Sequence, residues 1–248
     1  LSQMCGRFET LTRSEAEGAA QAILTRAPYN YAPDWPATRP ADAFPRRLAP
    51  IIRSVQQSGV TADATANTIA GASLEVAEIT WGYIPDGHRD LVFNTRIETA
   101  ASTHLWADSL KYRRCVVPAT AFFERHSREL GISPTTGKAV KQLYRFYLPQ
   151  NEICLMAGVW EGGRFSVITQ PPNDVVRPVH NRMPLLLASQ TALDWITEGA
   201  SILTDSTFRS QNTRLAAMLA SEAFFAPAPK NETPPDTNAH KQAQLSLF

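Results

Sequence analysis

The sequence predicts an α+β domain: a curved, mostly antiparallel, barrel-like β-sheet with flanking helices. Three observations carry that prediction. Strand-like runs come in clusters and do not alternate strictly with helical ones. No internal repeat is visible. With 248 residues, 44% hydrophobic and 19% charged, the chain can build one large core. The domain is expected over 4–225. From Ala226 the run "PAPKNETPPDTNAHKQAQ" is too polar and proline-rich to bury apolar surface, so 226–248 reads as a disordered tail.

The elements follow in order. "SEAEGAAQAILTR" predicts a helix, with Ser14 and Glu17 as a capping box and Ala16, Ala20, Ile23 and Leu24 along one face. "APYNYAPDWPATRPADAFP" is punctuated by proline and reads as an ordered loop. "PIIRSV" and "EVAEITWGYIP" are strands, and the aperiodic "QQSGVTADATANTIAGAS" between them reads as a mobile loop. "IETAASTHLWADSLK" predicts a helix and "RRCVVPA" a strand. "HSRELGISPTTGKAVKQ" reads as a further loop between hairpin candidates. "LYRFYL", "EICLMAGVW" and "RFSVIT" are strands joined by turns at Asn151 and Gly162-Gly163. "TALDWITEG" and "TRLAAMLASEAFF" close the domain as helices.

Composition narrows the chemistry. A net charge of +1 gives no global field, so a polyanion would have to be held by local clusters. Cys5, Cys115 and Cys154 are odd in number and form no CxxC pair. That argues against a disulfide framework or a cysteine zinc site and fits a reducing cytoplasm. No signal-like segment opens the chain, and no apolar run approaches the ~18 residues of a membrane span. HExxH, nucleophile-elbow, P-loop and GxGxxG patterns are absent, so no metal or cofactor is expected.

Four stretches hold reactive residues. In "MCGRFE", loss of Met4 would leave Cys5 with a free α-amine and a thiol two carbons apart. An α-amine titrates near about 7.7–8.0, so much of it is neutral and nucleophilic at physiological pH. Its natural target is an aldehyde: the amine forms an imine and the thiol closes a thiazolidine ring. Gly6 permits close approach of a bulky substrate, and Arg7 offers a fork for phosphate. "VFNTRIET" places Asn94 and Arg96 where a strand gives way to a helix. They read either as a turn asparagine and a solvated arginine, or as a carbonyl-orienting group and an anion binder. In "CVVPATAFFERH", Glu124 follows an apolar run and is either exposed at a strand end or pocketed with a raised pKa suited to proton shuttling. In "VVRPVHNRMPLLL", Pro178 and Pro184 fix the backbone around His180 and Arg182, as positioning a general acid/base would require.

Taken in order, "MCGRF", "YNYAP", "WGYIP", "FNTRIET", "RRCVVPATAFFER" and "VHNRMP" resemble the SRAP (SOS-response-associated peptidase) family, abasic-site processing proteins that cross-link to DNA. The match runs from Met4 to about Trp195. The resemblance implies that a mature terminal Cys5 attacks the ring-opened aldehyde of an abasic site in single-stranded DNA and forms a thiazolidine cross-link. It further implies that Asn94 orients the amine or the sugar and that Glu124 and His180 move protons. Gly6, Arg7, Arg96, Arg182 and Trp81 would face the DNA. The usual glycine-Phe-Tyr-Glu-Trp run is here "AFFER", the usual Asn-Ala-Arg-Ser-Glu-Thr is "NTRIET" and the usual His-Asp-Arg is "HNR", so the reactive types persist while the groove around them changes. Met4 is then the expected initiator, with Leu1–Gln3 a remnant or a segment removed by self-processing.

The tail ends in "QLSLF", which resembles the bacterial sliding-clamp-binding pentapeptide through Gln244, Leu245, Leu247 and Phe248. The expected protein is thus a cytoplasmic, nucleoid-associated monomer that binds abasic single-stranded DNA and docks on the clamp, without a membrane partner. Lyase-like activity at the lesion and self-processing peptidase activity could accompany the cross-link. Two alternatives use the same residues. One is a cysteine peptidase built on Cys5, His180 and Glu124; the other is a non-catalytic adaptor that stacks bases on Trp35, Trp81 and Phe93.

Overall fold

The structure, a computed structural model, describes residues 6–30, 41–55, 73–85, 90–133, 136–198 and 215–220. Cys5, Trp35, the predicted loop after "PIIRSV" and the "QLSLF" tip lie outside the described residues.

The predicted α+β class holds: one large curved sheet gathers twelve strands, with four helices around it among the described residues. β1 (Phe8–Thr10) is followed by α1 (Arg13–Leu24). The helix starts one turn-fraction earlier than predicted. Its capping box is Thr12 with Glu15, the side chain of Thr12 accepting from the Glu15 N–H and the carboxylate accepting from the Thr12 N–H at 2.6 Å. Thr12/Glu15 and Ser14/Glu17 share the same spacing, and the buried Ala16, Ala19, Ala20 and Ile23 decide which one begins the helix. A short β2 (Ala41–Ala43) pairs with β1, an element that the proline-rich stretch did not advertise.

The two predicted strands β3 (Leu48–Ser54) and β4 (Leu74–Trp81) pair antiparallel to each other. β4 ends at Gly82, whose φ of +107° an L side chain adopts only with strain; a Cβ there would also meet Leu91 at 2.9 Å. β5 (Asn94–Arg96) leads into two helices, α2 (Ile97–Ala100) and α3 (His104–Tyr112), where one helix was predicted.

β6 (Arg114–Ile132) is the spine of the domain. It pairs with β1, β3, β7 (Ala139–Tyr147) and β8 (Cys154–Glu161). The stretch predicted as a loop, "HSRELGISPTTGKAVKQ", is largely strand: Leu130, Gly131 and Ile132 pair with Lys141, Val140 and Ala139. β8 turns through Gly162-Gly163 (φ +55° and +76°) into β9 (Arg164–Gln170), as predicted. β4 and β5 both run parallel to β9, the exceptions in an otherwise antiparallel sheet. Short strands β10 (Met183–Pro184) and β11 (Leu186–Leu187) then add to β9 and β8, and α4 (Ser189–Thr197) packs beside them.

The predicted last helix is corrected. Ala216–Leu219 form β12, antiparallel to β7. The exposed edge of β7 offers unpaired backbone groups, and satisfying them outweighs a marginal helical period. No helix among the described residues is long and apolar enough to cross a membrane.

The core forms two apolar clusters. One lies under the helices around Ile23, Trp106, Leu110 and Trp195. The other, around Phe8, Trp81, Phe122, Phe146, Phe165 and Met183, fills the concave interior of the sheet and borders the site.

Candidate active site

The site begins with the pairing of β1 and β6. Phe8 lies opposite Phe122 and Glu9 opposite Ala121, and the Phe123 N–H donates to the Arg7 carbonyl at 3.0 Å. Residues directly opposite share a face of the sheet, so Phe8, Phe122 and Glu124 project to the interior while Glu9 and Phe123 project outward. Counting the same register back one step past Arg7 brings Gly6 level with Glu124.

Glu124 is 3% exposed and His180 5%, and His180 Nδ1 lies 3.6 Å from Glu124 Oε2. Glu124 is thus buried and not exposed at a strand end. The turn after β9 carries His180, and it is fastened to β6 by the Ser127 N–H donating to the Val179 carbonyl at 2.9 Å. Within the turn, His180 Nδ1 sits 3.2 Å from the Arg182 carbonyl oxygen and 3.3 Å from the Arg182 N–H. Desolvation by burial pushes the His180 pKa below its ordinary value, and the charges of Lys141 and Arg182 push the same way, against the Arg182 carbonyl. The imidazole is therefore neutral at neutral pH and available as a proton acceptor.

This has a consequence for stability. The unfolded histidine takes up its proton first as pH falls through about 6.5, while the buried one resists, so stability present above that pH is lost below it. Denaturant titrations of wild-type protein and H180Q across pH 8 to 5 should show a shallower acid loss in the variant. Parallel curves would contradict the assignment.

Of the three arginines singled out in the sequence, two are already engaged. Arg7 donates to both carboxylate oxygens of Asp42 at 2.9 and 2.6 Å, and its guanidinium packs over the rings of Phe123 and Phe44. Arg182 makes a bidentate pair with Glu98 at 2.7 and 2.9 Å and also donates to the Thr169 carbonyl at 2.7 Å. Arg96, between Asn94 and Glu98, is exposed and makes no ion pair among the described residues. β5 aligns Asn94 with Val167 and Arg96 with Thr169, so Asn94, Arg96 and the Arg182–Glu98 pair converge on β9. Asn94 Oδ1 is buried on that strand.

Trp81 is a correction. It is 0% exposed, donates from its indole N–H to the Phe93 carbonyl at 2.8 Å and packs against Phe8, Phe93 and Phe165. Such a ring is core and offers no face to a nucleobase; Phe93, half-buried against it, is part of the same packing.

Sequence reasoning missed the carboxylates that hold the arginines, Asp42 and Glu98, and a third pair on the outer face of β1. There Glu9, fully buried, accepts from Arg145 at 2.9 and 2.7 Å and from the Thr120 hydroxyl at 2.7 Å. These partners lie 35, 84 and 136 residues apart, beyond any local pattern. The two described cysteines are fully buried. Burial pushes the Cys115 thiol far up and the Cys154 thiol up to about 12, so both are inert.

The family model described as SOS response associated peptidase (SRAP) matches residues 4–223. The chain belongs to the SRAP family. Among its SRAP relatives, abasic site processing protein YoqW of Bacillus subtilis is 25% identical over 140 residues, covering 51% of this chain and 59% of that protein. Abasic site processing protein HMCES of Gallus gallus is 23% identical over 272 residues, covering 93% of this chain and 76% of that protein. The chain thus spans about three-fifths of the length of the bacterial relatives it matches. Crystal structures of proteins from Bordetella bronchiseptica and Bacteroides thetaiotaomicron share the SRAP fold, with TM-scores of 0.59 and 0.58 at 21% and 18% identity. They cover 87% and 92% of this chain, and 99% and 97% of their own.

Proposed function

We propose that this SRAP protein captures abasic sites in single-stranded DNA as a covalent thiazolidine on Cys5. The observation that carries the reading is the buried Glu124–His180 pair level with Gly6, the residue that follows Cys5. The names of the relatives point the same way, as does the inertness of Cys115 and Cys154, which leaves Cys5 as the reactive thiol.

The chemistry balances without a cofactor. The Cys5 amine attacks C1′ of the ring-opened sugar, and the carbonyl oxygen leaves as water to give an imine. The thiol then adds across the C=N bond: sulfur bonds to carbon, its proton ends on nitrogen, and a five-membered ring closes. Each stage needs a proton delivered or removed; on this reading the buried Glu124 carboxyl and the neutral His180 imidazole carry those protons, and their burial side by side supports it. Asn94 orients the amine or the sugar, and Arg96 meets a flanking phosphate. Arg7 and Arg182 present guanidiniums already fixed by Asp42 and Glu98, so little rotamer freedom remains to be lost when DNA arrives. Peptide-bond cleavage is confined, on this reading, to exposing the Cys5 amine.

Protein beginning at Cys5, incubated with an oligonucleotide bearing one abasic site, should give a shifted band on a denaturing gel, and the band should vanish in Cys5→Ala. Persistence of the band in the alanine variant would contradict the assignment.

A further inference from the structure

β6 does not stop at the site. Beyond Glu124 it continues to Ile132 and returns as β7, a ribbon in which residues 126–129 bulge out between the pairs Arg125–Leu143 and Leu130–Lys141; its β7 side, Ala139 to Leu143, reaches roughly 13 Å at about 3.3 Å per residue. The ribbon is exposed on both faces. Leu130 and Ile132 are 64% and 69% exposed, and Val140 is exposed too. Isolated two-stranded ribbons with bare apolar side chains are marginal in water unless something covers them.

Charge says what covers this one. Arg125, Arg128, Lys138 and Lys141 all lie on the ribbon and are exposed, on a chain whose whole net charge is +1. The single carboxylate there, Glu129, is drawn back toward the base, accepting from the Tyr144 hydroxyl at 2.7 Å and lying 3.6 Å from His126 Nε2. None of the four cations has a carboxylate partner among the described residues. The ribbon is also joined to the candidate site twice, through Glu124 on the same strand and through the Ser127–Val179 hydrogen bond to the turn that carries His180. An arm that is basic, apolar between its charges and fixed to that turn fits a polyanion with apolar surface between its phosphates.

We propose that the β6–β7 ribbon is a second DNA-binding element, which lies along the single strand flanking the lesion. Arg128, Lys138 and Lys141 meet phosphates, and Leu130, Ile132 and Val140 pack on sugars and bases. The inference rests on the DNA-processing reading for its ligand and not on the cross-link itself.

The test reads equilibrium binding of the full chain to undamaged single strands, so it survives failure of the cross-linking chemistry. Fluorescence anisotropy with a 30-nucleotide and an 8-nucleotide strand across a salt series should give a steeper salt dependence on the long strand. For R128Q/K138Q the slope of log K against log salt on the long strand should fall by about 1.4, at about 0.7 per phosphate contact on single strands, with the short strand unaffected. L130S/I132S should weaken the long-strand complex about tenfold with the salt slope kept. Unchanged slopes in R128Q/K138Q, or a wild-type protein that does not bind undamaged strands, would overturn the proposal. So would a change in sedimentation of L130S/I132S without a change in DNA affinity, which would assign the ribbon to contact between copies of the chain.

Discussion

Glu124→Gln is expected to slow cross-linking to an abasic oligonucleotide by about 10²–10⁴-fold, the range for loss of a positioned general acid/base. The side chain keeps its shape and much of its hydrogen-bonding capacity but can no longer exchange a proton. It sits 3% exposed beside His180, so little water is at hand to replace it. Thermal unfolding of E124Q should remain close to that of wild type, because no buried charge is stranded next to a neutral imidazole. Single-turnover gel assays check the rate. A rate within threefold of wild type would remove Glu124 from the chemistry and leave it as a packing group.

The second large effect concerns stability alone. Glu9→Ala should destabilise the fold by about 3–5 kcal/mol, because it leaves the Arg145 guanidinium nearly buried without its carboxylate. For a chain of this size that corresponds to a fall in Tm of about 6–20 °C. The Thr120 hydroxyl loses its acceptor in the same change. Replacing both members, Glu9→Met with Arg145→Met, should restore part of the loss, since neither charge is then stranded. A single variant that melts with wild type would mean that Arg145 finds solvent, which its 12% side-chain exposure argues against.

The two predictions separate what was legible in the sequence from what was not. α1, α4 and the run of β7, β8 and β9 could be read because local periodicity and turn residues, Asn151 and Gly162-Gly163 among them, coincide with the tertiary need. β12 could not: "LAAML" suits either state, and the open edge of β7 decided it. The β6–β7 ribbon hid behind glycine and proline that look like a loop but interrupt only its far end.

At the site, residue types were readable and partners were not. His180 and Glu124 stand out by composition, whereas the fact that they meet depends on a turn after β9 folding onto β6. Arg7 and Arg182 read as open phosphate forks because Asp42 and Glu98 reach them only through the fold. Trp81 was misassigned for a related reason. It shares the buried face of its strand with Ile79, while Glu78 on the other face is exposed, and a lone indole in "TWGY" carries no sign of which way it points.

The central claim, that the N-terminal aminothiol of Cys5 carries the reaction, is tested most directly by intact mass and peptide mapping of the DNA–protein adduct. The adduct should have the mass of the protein beginning at Cys5 plus the abasic oligonucleotide less one water, and the modification should lie on the peptide that begins at Cys5. An adduct mapped to another residue, or one whose protein still carries Leu1, would contradict it.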